Sequence, residues 1–269
     1  MRTRARGFTL VEAIIVIAIT GIVSAIVAVF ISKPVEGYFD ATRRAELTDA
    51  ADTALRRFSR DLRLALPNSI RVDATGRFIE FLITSGGGRY RAEVTSTGTG
   101  NVLDFVSAGG DASFDVIGAM PTVSAGHQIV VFNLGTGFPG GDAWQASGNN
   151  RAIVASASGT AITLTAPKLF PYESPASRFH VVEHSVTYAC DLATGVLRRH
   201  WNYGITAVQS APPSGGSDAL LATRVSACAF TYESNELLAR YGIVTANLAM
   251  TIDGETVSLQ AQVHVSNTP

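Results

Sequence analysis

Residues 8–31 form an apolar run of 24 residues that contains no proline and a single ionisable side chain, Glu12. Built as an α-helix at about 1.5 Å per residue, such a run spans a hydrocarbon core of about 30 Å. Arg2, Arg4 and Arg6 precede it and the first lysine, Lys33, follows it. Positive charge on the leading side predicts that the N-terminus stays in the cytoplasm and that the roughly 235 residues after the run are exported. A cleavable secretory signal would have a shorter apolar region followed by a small-residue site. Val23-Ser24-Ala25 lies inside the run rather than after it. Glu12 sets the chemistry, because a carboxylate in hydrocarbon costs about 2.5–3.5 kcal/mol on insertion scales and marks a contact that neutralises it.

The string Gly7-Phe8-Thr9-Leu10-Val11-Glu12, behind a basic leader and ahead of an unbroken apolar helix, resembles the signal of type IV prepilins and type II secretion pseudopilins. The resemblance implies cleavage between Gly7 and Phe8 by a prepilin peptidase and N-methylation of the new Phe8 amine. It also implies that the apolar helix becomes a polymerisation domain. Glu12 would then pair with the Phe8 amine of a neighbouring subunit, cancelling two charges that are each costly alone in a low-dielectric core.

Beyond the run, Leu47, Ala51, Ala54, Leu55, Phe58, Leu62 and Leu66 follow the three-and-four spacing of an amphipathic helix. Asp40/Arg44, Asp52/Arg56 and Arg57/Asp61 stand four apart on its polar side. One helix from Phe8 to about Leu66 is expected, about 88 Å long, with a kink at Pro34, whose ring removes a backbone donor. Gly21 is a second point of loosening. Arg43-Arg44 and Arg56-Arg57 read as a solvated face, or alternatively as a subunit-to-subunit salt-bridge face.

Pro67-Asn68 ends the helix and the period changes. Strand-like runs are expected at residues 77–83, 90–94, 102–106, 128–134, 151–156, 161–165, 179–188, 219–232, 244–252 and 257–265. Gly86-Gly87-Gly88, Gly109-Gly110 and Gly140-Gly141 read as turns or loops, and residues 210–217 as a longer loop. Asp253-Gly254 signals a terminal hairpin. The predicted organisation is a leader (1–7), a transmembrane and polymerisation helix (8–33), the amphipathic half of the spine (34–66) and a β-rich exported head (67–269). The fold class is α+β, pilin-like, with a long helix packed on a large antiparallel head.

The strings Val186-Thr187-Tyr188-Ala189-Cys190-Asp191, Leu197-Arg198-Arg199-His200-Trp201, Val225-Ser226-Ala227-Cys228-Ala229-Phe230-Thr231-Tyr232 and Gln262-Val263-His264-Val265-Ser266-Asn267 resemble the O-type minor pilins of the mannose-sensitive haemagglutinin pilus. So does the segment 34–72. The likeness thins between about residues 86 and 175. It implies a minor structural subunit whose partners are other pilins, the prepilin peptidase and methyltransferase, an inner-membrane assembly platform and, before assembly, membrane lipid. A J-type minor pseudopilin of type II secretion has the same outline. A membrane-anchored periplasmic carbohydrate-binding module is the reading from another class.

Cys190 and Cys228 are the only cysteines. In an oxidising compartment two such residues form one disulfide, closing a loop of about 38 residues and contributing about 3–4 kcal/mol; buried free thiols are the alternative. His180-Val181-Val182-Glu183-His184 matches the H-x-x-E-H zinc pattern, but that pattern needs a helix. Here the flanks alternate like a strand, where residues four apart lie about 13 Å from each other. Gly135-Thr136-Gly137-Phe138-Pro139-Gly140 has dinucleotide-type spacing but is followed by loop-like residues, so a turn is expected. Trp144, Trp201 and Tyr203 are candidate surface aromatics for a sugar or subunit contact. Formal charge is −1, and loss of the leader's three arginines leaves 18 basic against 22 acidic residues, which gives no reason to expect a nucleic-acid partner. The chain is read as non-enzymatic, with no cofactor and no metal.

Overall fold

The computed structural model describes residues 7–234 and 241–269; the basic leader residues 1–6 lie outside them. Helix α1 (Leu10–Leu62) is continuous over 53 residues, about 80 Å. Thr9, in extended conformation, caps it by accepting the Glu12 amide on Oγ1 at 3.3 Å. Pro34 lies inside the helix and does not end it.

The helix stops four residues short of the expected Leu66. Leu64 and Ala65 turn back onto the carbonyls of Asp61 and Leu62, and the Leu66 amide donates instead to Leu82 O at 2.7 Å. Pro67 explains this, because its ring disfavours helical backbone at the preceding residue. Leu66 is buried all the same, as are Leu47, Ala51, Ala54, Leu55, Phe58 and Leu62. The amphipathic pattern identified the inward face correctly.

Twelve strands follow among the described residues: β1 (Arg71–Val72), β2 (Phe78–Tyr90), β3 (Asp111–Ile117), β4 (Gln128–Val131), β5 (Arg151–Ser158), β6 (Ala161–Lys168), β7 (Arg178–Asp191), β8 (Val196–Trp201), β9 (Ser217–Ala222), β10 (Val225–Ser234), β11 (Tyr241–Ile252) and β12 (Glu255–Ser266). All their pairings are antiparallel. Nine strands form one sheet, and β10-β11-β12 form a second. Strands β2 and β7 pair along most of their length. At one end they continue through β3, β6, β5 and β4 into a closed circuit of six strands.

That closure gives the head two lobes. One is a small barrel filled by Phe114, Ile129, Val131, Ile162, Phe170, Phe179 and Val181. In the other, the inner face of α1 packs with Phe81, Tyr188, Leu197, Phe230, Val244 and Leu248 from both sheets. Rings of Phe58 and Tyr188 meet edge to face with centroids 4.9 Å apart.

Several sequence expectations change. Residues 86–88 are not a loop but part of the C-terminal half of β2. A Cβ on Gly87 would stand 2.9 Å from Phe179 O, and one on Gly88 would stand 2.8 Å from the Phe179 ring. The glycines therefore serve close strand approach rather than a turn. Residues 102–106 are not a strand, because the Asp104 carboxylate accepts the Val106 and Ser107 amides and folds a turn there. The run 219–232 is split into β9 and β10 by Arg224, whose φ is 61°. Asp253-Gly254, with φ of 47° and 87°, makes the expected tight hairpin between β11 and β12.

Candidate functional site

Among the described residues, the N-terminal half of α1 packs on nothing. Its most apolar window, with mean hydropathy 3.0, is 0% buried, and the helix is long and apolar enough to cross a membrane. Phe8, 71% exposed, sits just outside the helix, next to its cap. Glu12 sits in the first turn, where the unpaired amides of the helix start favour a negative charge. No other described side chain pairs with Glu12. Gly7, Phe8 and Glu12 are thus gathered at one bare tip.

Residues 2–28 match the prokaryotic N-terminal methylation motif. The motif indicates a structural subunit of the type IV pilin and pseudopilin kind, membrane-anchored by one N-terminal helix, that assembles with other pilins after prepilin peptidase processing. The long helix packed on an antiparallel β-rich head is the corresponding α+β architecture. Comparison with curated proteins and with solved structures returned no match.

Where α1 enters the head, charged pairs fix its angle. Arg44 grips Glu255 through Nε at 2.6 Å and Nη2 at 3.2 Å, and Arg43 bridges Asp40 and Asp253, each at 3.2 Å. Asp253 lies in the β11–β12 turn and Glu255 directly follows it, so the hairpin tip is clamped to the helix. Of the expected four-apart pairs, Arg56–Asp52 at 2.6 Å and Arg57–Asp61 at 3.2 Å form. Arg44 leaves Asp40 for the hairpin, because Glu255 offers two oxygens in a fork geometry.

Deeper in the head, two carboxylates are sealed. Asp61 accepts from Arg199 Nε at 2.5 Å and the Tyr188 hydroxyl at 2.9 Å. Glu80, with a side chain 0% exposed, accepts from Arg71 Nε at 2.6 Å and the Tyr203 hydroxyl at 2.7 Å. Sequence patterning missed both networks, because a charged residue at helix or strand spacing reads as solvated. A tyrosine across from each carboxylate carries no signal before the strands are paired.

The three aromatics singled out from sequence do not gather on one surface. Trp144 is 1% exposed, which corrects its reading as a surface contact. Its indole donates to Ser69 O at 2.9 Å, and the Arg71 guanidinium lies 3.8 Å over the ring. Asp142 holds the Trp144 amide at 2.8 Å and so points the loop inward. The Tyr203 hydroxyl is taken up by Glu80 and by Thr187 at 2.6 Å. Trp201 is half-buried beneath Arg199, 4.8 Å from the ring centroid.

Cys190 on β7 and Cys228 on β10 are free thiols that interact as neighbours. The neighbouring Cys190 and burial push the Cys228 thiol well above its ordinary range. His180 and His184 both lie on β7, as the alternation predicted, opposite Gly87 and Ile83 respectively. Residues 135–141 form a closed turn, with Leu134 N donating to Gly141 O at 2.7 Å.

Proposed function

We propose that this chain is a minor structural subunit of a type IV pilus, most like the O-type minor pilins of the mannose-sensitive haemagglutinin pilus. The observation that carries the reading is the bare tip. Phe8 stands outside the helix cap and Glu12 one turn inside it, at the end of an unpacked apolar helix that bears the methylation motif. Residues 1–7 are the leader, kept in the cytoplasm by their arginines, and the head is exported. Prepilin peptidase cleaves after Gly7, the Phe8 amine is methylated, and the helix leaves the inner membrane for the filament through the assembly platform. Glu12 then neutralises the Phe8 amine of the adjoining subunit, since each charge left alone in an apolar core is costly. Residues 8–33 polymerise, 34–66 attach the spine to the head, and 67–269 make the contacts of the head. The C-terminal strings around Cys190, Trp201 and Cys228 support the O-type assignment.

In this reading Cys190 and Cys228 close to a disulfide after export, and their position as mutual neighbours favours it. Protein recovered from the cell envelope under alkylating conditions should take up no label until reduced; two labels without reduction would refute the bond.

The assembly reading is tested with a Glu12→Ala variant. Membrane level and leader removal should match the wild type, while recovery in sheared surface filaments falls at least tenfold. Normal recovery of the variant would contradict the role of Glu12. Running the same fractionation in strains lacking pilus genes or type II secretion genes separates this reading from a J-type pseudopilin.

A further inference from the structure

A cleft of about 650 Å³ opens between the last turns of α1 and the face formed by β7, β8 and β9. It is independent of the assembly tip at the other end of the helix. Arg199 lines it with a side chain only 8% exposed. The Arg199 Nε is held by Asp61, and its two terminal nitrogens have no hydrogen-bond partner among the described residues. His184 lines the same cleft, and its Nε2 is buried without a hydrogen-bond partner. These are two independent polar groups, one cationic, set into a cleft wall and left unsatisfied by the protein.

The charge balance defines what they would take. Asp61 is already occupied by Arg57, Arg199 and Tyr188. Arg60 stands on the rim with no ion pair among the described residues, so the cleft has cationic capacity to spare. Trp201, Leu221 and Ile83 supply apolar wall. Glu183, also lining the cleft, is exposed, with His184 Nδ1 3.8 Å away; it can accept from a hydroxyl and repels a second acidic group. A run of acidic peptide side chains would satisfy the arginines but set a further carboxylate against Glu183. A ligand with one carboxylate, several hydroxyls and an apolar ring face satisfies all of them.

We propose that this cleft binds a carboxylated monosaccharide, its carboxylate on Arg199 and Arg60, its hydroxyls on His184 and Glu183, and its ring against Trp201. The test is saturation-transfer NMR on the full chain in detergent micelles, titrated with glucuronate, galacturonate, N-acetylneuraminate, glucose and a glutamate-rich peptide. At least one acidic sugar should bind saturably, with glucose weaker by about tenfold or more. Arg60→Glu, a change on the exposed rim, should weaken that binding by a further factor of about ten or more. Trp201→Leu should weaken acidic sugar and glucose alike, with the circular dichroism spectrum unchanged. The proposal is overturned if no acidic sugar binds, if Arg60→Glu leaves binding unchanged, or if the peptide binds more tightly than every sugar.

Discussion

Glu80 and Asp61 show how individual side chains organise this head, because each is a buried carboxylate held by arginine and tyrosine, Glu80 by one of each and Asp61 by two arginines and a tyrosine. Removing Arg71 strips Glu80 of its cation and Trp144 of its stacking partner. Arg71→Ala should therefore lower the unfolding free energy by about 3–5 kcal/mol in urea denaturation. A joint Arg71→Met, Glu80→Met replacement should lose less, since it leaves no uncompensated charge; a double variant worse than the single would contradict the argument. His180 acts through pH. Burial lowers its pKa from 6.5 to about 4, so between those values the unfolded chain binds a proton that the folded chain does not. Stability from this group is complete above about pH 6.5 and falls with acidification, by about 2–3 kcal/mol at pH 4.5. Denaturation at pH 7.5 and 4.5 should show that difference shrink in His180→Gln; an equal drop in both proteins would refute it. None of these roles was readable from sequence, since the partners of Glu80 and Asp61 lie up to 138 residues away.

At the level of elements, α1 was the most legible part of the chain and the strands were uneven. Periodicity found every buried apolar residue of the helix from Leu47 to Leu62, because one amphipathic face decides them all, and missed only the buried Asp61. Strand β3, Asp-Ala-Ser-Phe-Asp-Val-Ile, escaped notice because it carries two aspartates that serve loops, with Asp115 accepting from Arg91 and Asn101. The run Gly86-Gly87-Gly88 misled for a different reason, since glycine marks both turns and close backbone approach. Gly87→Ala should cost about 1–3 kcal/mol by pushing β2 off Phe179. A thermal melt unchanged from wild type would show that β7 gives way freely. The hairpin clamp predicts the opposite pattern. Glu255→Ala leaves a surface arginine in water, so the global midpoint should scarcely move while amide exchange quickens in the β11–β12 turn.

For the whole molecule, the division of labour lies along the helix. Its first half is apolar and unpacked, its second half is one wall of the head, and the barrel lobe projects from the paired β2 and β7. The sequence announced the first two parts through hydropathy and period. It did not announce the barrel, whose closure depends on β2 meeting β7 across about a hundred residues of chain, nor the cleft, which exists only once α1, β7, β8 and β9 are assembled. Because the N-terminal half contributes no packing, a chain beginning at residue 34 should be soluble without detergent and melt at the temperature of the full chain. A lower melting temperature would mean that the apolar half does support the head.

The central claim, that the tip is a processed assembly site, rests on a single bond. The most direct measurement is the intact mass and N-terminal sequence of the protein from cells with and without prepilin peptidase. The account predicts loss of residues 1–7 and a methylated Phe8 amine only where the peptidase is present. Retention of residues 1–7 in both strains would contradict it and leave an anchored head with no route into a filament.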